Sequence, residues 1–331
     1  MHFEARLYPF REVAPLAHDP RCKTPDVLSE MDIRCDVVAS ELEASPAERL
    51  ILMNDSGCQI VIPIYRSELM RDQEISLASI RKHLSGYGIC FVAPESMDVG
   101  AIIQRGESVE RFSDDYFSGI EGYNRLLKSS VFYERFKTVD YILIAQLDCL
   151  IFSGELDPWR ARGYDYLASP WFRDFAKDHR PGLWRVGNGG LSLRRVKSYL
   201  RVLRQQVVNG SIYPRWGHCA WRPPLESWEA GLYTKISALY ALSPFAMLHS
   251  VERELQRFPY NEDVFWSIEA PKFDSSFMVA SAEEALPFAF EVSPRWSLKK
   301  TGGQLPFGCH AWERYDRPFW EEVLSDPKNS I

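Results

Sequence analysis

The sequence has no uninterrupted apolar stretch approaching the roughly eighteen residues of a membrane-spanning helix, so no transmembrane segment is expected. Peripheral contact with a membrane surface stays open. There is no CxxC pair among its seven cysteines (22, 35, 58, 90, 149, 219 and 309), and their number is odd. That usage predicts reduced thiols and a cytoplasmic location, with Cys90 and Cys149 acting as small hydrophobes in apolar contexts. Positive charge is not in excess: 39 Lys and Arg stand against 45 Asp and Glu, a net of −6. Nucleic acid is therefore disfavoured as the main partner, because phosphate contacts require clustered cations. The opening Met1-His2-Phe3-Glu4-Ala5-Arg6 lacks the basic-then-apolar order of a signal peptide. No tryptophan precedes position 159, so all ten fall in the later part of the chain. They either build a bulky core there or line a groove for a ligand with C–H faces and hydroxyls, such as a sugar.

What the chain does have is an ordinary globular composition, 46% hydrophobic and 25% charged over 331 residues. That length suits one large α/β domain or two modest ones. Residues 1–56 read as an N-terminal helical extension, starting at Thr24-Pro25-Asp26 and ending at the break Asn54-Asp55-Ser56-Gly57. Residues 57–325 form the main domain and 326–331 a tail. Gln59 to Tyr65 is a short apolar run suited to a strand buried on both faces. Met70, Leu77, Ile80 and Leu84 follow at helical spacing, and Gly88 to Pro94 is a second buried strand. Strand, helix, strand predicts a parallel sheet. No Gly-x-Gly-x-x-Gly follows the first strand, which disfavours a dinucleotide cofactor.

The most informative stretch is 139–152, an apolar run that carries Gln146 and Asp148. A carboxylate among Leu, Ile and Phe is costly to desolvate unless a cation or a donor meets it. Such an acid holds a metal–diphosphate or caps the next turn. Asn188-Gly189-Gly190 reads either as a hairpin turn or as backbone closely approached by a ligand. Glu262-Asp263 begins an apolar helical stretch, as helix-capping acids or as a general base. His310 is either a satisfied core imidazole or a partner for Asp148 on a divalent cation. Lys299-Lys300 belongs to a cationic, Gly-rich segment, a solvated loop or a lid over a diphosphate. Arg125, on the helix before the Asp148 strand, is a phosphate or sugar contact or a surface ion-pair partner.

Taken in order, Tyr123-Asn124-Arg125-Leu126-Leu127, Gln146-Leu147-Asp148, Asp165-Tyr166 with Pro170-Trp171, Gly187-Asn188-Gly189-Gly190, Glu262-Asp263-Val264-Phe265-Trp266 and Gly308-Cys309-His310-Ala311-Trp312 resemble the nucleotide-sugar glycosyltransferases of the GT-A fold. The nearest likeness is a domain family of unassigned function grouped with glycosyltransferase candidates, and it spans roughly residues 58–325. The resemblance implies a Rossmann-type, mostly parallel central sheet flanked by helices. It implies that Pro63-Ile64-Tyr65 borders the nucleotide base and that Asp148 is the last acid of an Asp-x-Asp motif holding Mn2+ or Mg2+ on the diphosphate. Arg125 would touch the donor, and Asn188-Gly189-Gly190 with Trp171 would border sugar and acceptor. Asp263, with Glu262 beside it, would be the base, His310 a later metal ligand, and Lys299 or Lys300 a diphosphate cation. Gln146 departs from the pattern, since it stands where the motif has its first acid and leaves the cation fewer anionic ligands.

The expected activity is transfer of a sugar from a nucleoside-diphosphate-sugar to a hydroxyl of a glycan, in glycan or surface-polysaccharide assembly, with inversion favoured over retention. A nucleotidyltransferase and a non-catalytic glycan-binding protein are the alternatives from other classes. The first ordinarily carries a Gly-rich basic loop after its first strand, which Pro63-Ile64-Tyr65-Arg66 does not offer.

Overall fold

The computed structural model describes residues 57–173, 182–208, 248–256 and 258–329. The expected extension over 1–56, and most of the Trp-, Pro- and Tyr-rich stretch at 210–250, lie outside the described residues.

The first apolar run forms β1 (Cys58–Pro63), and helix α1 (Arg71–His83) leads to β2 (Gly88–Pro94). α1 buries Ser76, Leu77, Ser79 and Ile80 along one stripe, has Asp72 and Glu74 in its first turn, and ends in Arg81, Lys82 and His83. Both charge biases favour the helix dipole. β1 and β2 pair in parallel, as the strand–helix–strand pattern predicts. β3 (Ser108–Phe112) adds to β2, and β4 (Tyr141–Ala145) lies parallel to β1 on its other side. The helical stretch expected around 119–136 is two helices, α2 (Gly119–Leu127) and α3 (Ser130–Arg135). Ser129 separates them because its hydroxyl accepts from Val131 N and starts the second one.

After β4 the chain turns through 146–149 into β5 (Leu150–Ile151), then continues through β6 (Tyr166–Ala168), β7 (Pro170–Phe172), β8 (Leu183–Val186) and β9 (Leu191–Arg195). The central sheet runs β3-β2-β1-β4-β9-β6. β9 is antiparallel to both β4 and β6, and the other pairings are parallel. The molecule is thus α/β, with a mostly parallel central sheet flanked by helices, as expected. Helix α4 (Val196–Arg204) follows β9, and β10 (Gln206–Val208) pairs with β11 (Leu248–Ser250). A small second sheet has the order β12 (Ala289–Phe290), β13 (Gly308–Cys309), β5.

Each sheet has its own core. The larger surrounds β1, β2, β4 and β9, and the smaller gathers Leu150, Leu286, Phe290, Cys309, Trp312, Phe319 and Trp320. The turn at 146–149 carries the chain from one to the other. Among the described residues, no helix is long and apolar enough to cross a membrane.

Candidate active site

Asp148 sits in the turn between the two sheets. Gln146 N donates to Gly190 O at 2.9 Å, extending the β4–β9 ladder by one bond, and Cys149 N closes the turn on Gln146 O at 3.0 Å. The Asp148 carboxylate is left partly open, its side chain 29% exposed. His310 follows β13, and Trp312 N donates to Asp148 O at 3.2 Å, which fixes the two loops against each other. His310 Nε2 lies 3.3 Å from Asp148 Oδ2, a charge contact without hydrogen-bond alignment.

Asn188 links this pair to Asp263. Its backbone N donates to Asp263 Oδ2 at 3.1 Å, and its amide nitrogen meets His310 Nδ1 at 2.9 Å. Its Oδ1 accepts from Gly190 N at 2.9 Å and its carbonyl from the Tyr166 hydroxyl at 3.1 Å. Asn188 holds a left-handed backbone, φ 84°, and so does Ala311 next to His310, at φ 50°. Asn tolerates that region better than most residues, whereas Ala there is uncommon. Strain of this kind clusters at working sites.

The glycines around Asn188 leave room for neighbours. A Cβ on Gly187 would lie 1.9 Å from the Trp171 ring, one on Gly189 2.2 Å from Glu262 Oε1, and one on Gly190 2.1 Å from His310 Nε2. The segment joins β8, paired with β7, to β9 in the central sheet, so it is not a hairpin turn.

Asp263 and Glu262 begin helix α5 (Glu262–Val264), which runs on through a π-turn at Phe265–Glu269. Turns of that kind recur at functional sites. The two acids part company. Glu262 forms a buried two-pronged ion pair with Arg194, at 2.8 and 3.0 Å, and Arg194 also donates to the Tyr133 hydroxyl. Its carboxylate is thereby taken up by the core. Asp263 stays partly accessible and accepts from Val264 N and Asn188 N. Burial pushes its carboxyl up, Glu262 adds to the rise, and the two backbone donors only partly offset it, leaving a pKa of about 7. At Asp148 burial is again the largest single influence and pushes upward, but the charge and proximity of His310, a backbone donor and the charge of Arg314 together outweigh it and hold the carboxyl below the usual range.

The remaining expected residues are less tightly gathered. Ile64 is buried, whereas Tyr65 is 45% exposed, with its ring edge-on to Tyr123 and Phe117. Tyr123 in turn comes close to the Gln146 side chain, so the strand end at Pro63-Ile64-Tyr65 reaches the Asp148 turn through two aromatic rings. Beside it, Tyr65 to Met70 and Met97 line an open recess of about 560 Å3. Trp171 stacks on Trp184, ring centres 5.9 Å apart, and covers Gly187. Arg125 donates to Asp115 O and pairs with Glu121, the surface role. Lys299 and Lys300 close helix α6 (Pro294–Lys300), so the expected loop starts only at Thr301. Lys300 lines a separate recess with Leu183, Leu286 and Leu305.

Sequence reasoning missed Glu291, Tyr166 as a hydroxyl donor, Arg194 and Arg314, whose charge reaches Asp148. The signal for Glu291 was there: Phe288-Ala289-Phe290 and then an acid repeats the pattern that singled out Asp148.

Among the described residues no set of three or more His, Cys, Asp or Glu side chains is arranged to hold a metal. Asp148 and His310 nevertheless fit a cation that keeps most of its shell for other oxygens. Nε2 of His310 is buried without a hydrogen-bond partner, 3.3 Å from Asp148 Oδ2, and the missing side chain of Gly190 is what lets the ring sit there. Mg2+ in particular is commonly bound through one or two protein groups plus water and phosphate.

A family model described as "Protein of unknown function (DUF5672)" matches residues 107–310, more than half of the chain, and the chain belongs to that family. No curated protein matches the sequence. Among solved structures, the chain is similar to the glycosyltransferase GlyE of Streptococcus pneumoniae TIGR4, at 13% identity, TM-score 0.36, covering 81% of this chain and 60% of that one. Core-mannan synthase A (CmsA/Ktr4) of Aspergillus fumigatus, in its Mn/GDP form, matches at 8% identity and TM-score 0.38, over 70% of this chain and 72% of that one. The mannosyltransferase Ktr4p of S. cerevisiae matches at 12% identity and TM-score 0.28, and the chain spans only 41% of its length.

Proposed function

We propose that the chain is a glycosyltransferase of the GT-A type, moving a sugar from a nucleoside-diphosphate-sugar to a hydroxyl of a glycan acceptor. One observation carries the reading: Asn188 ties Asp263, a carboxyl poised near neutral pH, by one hydrogen bond and His310 by another, and His310 is ion-paired with Asp148. A transferase needs a base at the acceptor hydroxyl and an anion-holding group at the leaving diphosphate, within one sugar's reach of each other.

In the reaction, the acceptor oxygen bonds to the anomeric carbon while the bond from that carbon to the diphosphate oxygen breaks, its electron pair leaving with the diphosphate. Asp263 takes the hydroxyl proton. Its two carboxylate oxygens each accept one backbone N–H and keep a further lone pair for that proton. Asp148 and His310 would hold Mn2+ or Mg2+, which when bound offsets charge growing on the departing diphosphate. Arg314, through its charge, supports that end of the site; Lys299 and Lys300 are assigned no step. Tyr65 and the recess beyond it would receive the base, and Trp171 would border the acceptor. Attack from the face opposite the diphosphate gives inversion.

The test is transfer and donor hydrolysis across UDP- and GDP-sugars, with Mn2+ present and absent, and the anomeric configuration of the product read by NMR. Turnover undiminished in both Asp148→Ala and Asp263→Ala removes the reading; a retained anomer reassigns Asp263 within it. Nucleotide binding measured by calorimetry separates an enzyme from a glycan-binding protein.

A further inference from the structure

Glu291 touches His310 on the ring nitrogen that does not face Asp148. β12 and β13 run parallel with Phe290 opposite Cys309, and His310 N donates to Phe290 O at 2.9 Å. Glu291 and His310 are the next positions on those strands, so the backbone ladder sets their side chains together. Glu291 Oε1 lies 3.3 Å from His310 Nδ1, and its other oxygen accepts from the fully buried Ser169 hydroxyl at 3.3 Å. The Glu291 side chain is only 12% exposed. A carboxylate placed there is costly to desolvate, and neither strand requires it.

Nδ1 has two neighbours with opposite demands. Gly190 N donates to Asn188 Oδ1, which turns the Asn188 NH2 toward Nδ1 at 2.9 Å. That donor needs a bare Nδ1 and so puts the ring proton on Nε2, facing Asp148. Glu291 is an acceptor. It needs a protonated Nδ1 and leaves the Nε2 lone pair free. A cation at Nε2 needs the second form: it takes the place of the Nε2 proton, which leaves to solvent, while Nδ1 keeps its own. Nε2 is buried without a hydrogen-bond partner, 3.3 Å from Asp148 Oδ2.

We propose that Glu291 is a positioning residue, holding His310 with its proton on Nδ1 so that Nε2 and Asp148 Oδ2 together present a donor pair to a divalent cation. Asn188 favours the other tautomer, and Glu291 decides between them. The inference rests on the transferase reading and on the cation within it. A carboxylate behind a ligating histidine commonly changes metal affinity by about 10- to 100-fold.

The test uses the full chain. Mn2+ alone is titrated and the free ion followed by electron paramagnetic resonance, and metal-free 15N-histidine spectra, taken at a pH high enough to neutralise the ring, report the His310 tautomer, assigned with His310→Gln. Glu291→Ala should weaken Mn2+ binding by about 10- to 100-fold and move the ring signals toward the Nε2–H form. Glu291→Gln, whose amide oxygen still accepts from Nδ1–H, should recover much of both. Stabilisation by UDP or GDP without Mn2+ should be unchanged in either variant. Unaltered Mn2+ affinity in Glu291→Ala overturns the inference and leaves the transferase reading intact. So does a loss that Gln does not recover, with ring signals unmoved, which marks a purely structural role. Should Glu291→Ala fail to fold, the Gln variant decides by the same two readouts. If the wild type binds nucleotide but no Mn2+, the inference falls while a metal-free transferase stands.

Discussion

Every polar group of Asn188 is engaged inside the site, two through the backbone and two through the amide. Asp263 depends on that arrangement, since one of its two backbone donors is Asn188 N. With a folded pKa near 7, Asp263 is a competent base only when ionised, so activity should fall as pH drops through about 7. The expected profile of kcat/KM against pH has an acid limb with unit slope. Asp263→Asn should lose about 10²- to 10⁴-fold in turnover, the usual worth of a positioned base. Stability follows the opposite sense. The folded-state pKa lies above the ordinary carboxyl value of 3.8, so the folded protein binds the extra proton between about pH 4 and 7. Stability from this group is therefore present below about pH 4 and lost as pH rises through about 7. Urea midpoints across that window should decline in the wild type relative to Asp263→Asn. A flat difference between the two would show that burial does not perturb this carboxyl.

At the scale of elements, the glycine segment is where local packing meets chemistry. Gly190→Ala sets a methyl 2.1 Å from His310 Nε2 at a position just before β9, anchored by the bond from Gln146 N to the Gly190 carbonyl, so the ring must yield. The expected result is a loss of activity well beyond any loss of stability, which overpacking puts at about 1–3 kcal/mol. Paired thermal melts and turnover measurements check it. Gly187→Ala, by contrast, drives a methyl into Trp171 and should be felt first as instability. The same elements show what the sequence made legible. β1, α1 and β2 follow from apolar runs and helical spacing, because those signals come from neighbours in the chain. Asp148 stood out because an acid inside an apolar run needs an external partner. Residues whose roles arise across the fold were harder. Glu262 and Asp263 are adjacent and chemically alike; only the position of Arg194, 68 residues away, takes one and leaves the other. Lys299 and Lys300 precede two glycines and suggested a loop, yet a Pro294 start and helical spacing carry α6 through both of them.

For the molecule as a whole, the decisive feature is that Asp148 and His310 reach the site from opposite sides of a seam. Leu147 and Cys149 pack in the larger core, while Leu150, Cys309 and Trp312 pack in the smaller. Besides the contacts of His310 and Glu291, bonds across the seam include Trp312 N on Asp148 O, the Trp312 indole N–H on the Ser76 hydroxyl at 3.0 Å, and a two-pronged pair between Arg317 and Asp72. Trp312 therefore joins the His310 loop to α1 and to the Asp148 turn at once. Trp312→Ala removes a ring that is 1% exposed and should cost about 3–5 kcal/mol. Trp312→Phe keeps most of the apolar volume and loses the indole N–H, so it isolates the bond across the seam. The Phe variant is expected to melt within a few degrees of the wild type while Mn2+ affinity and turnover fall together, because His310 and Asp148 are no longer held in register. Equal loss of stability and activity in Trp312→Phe would mean instead that the smaller core only supports the fold, and that the spacing of the Asp148–His310 pair is set within the larger one.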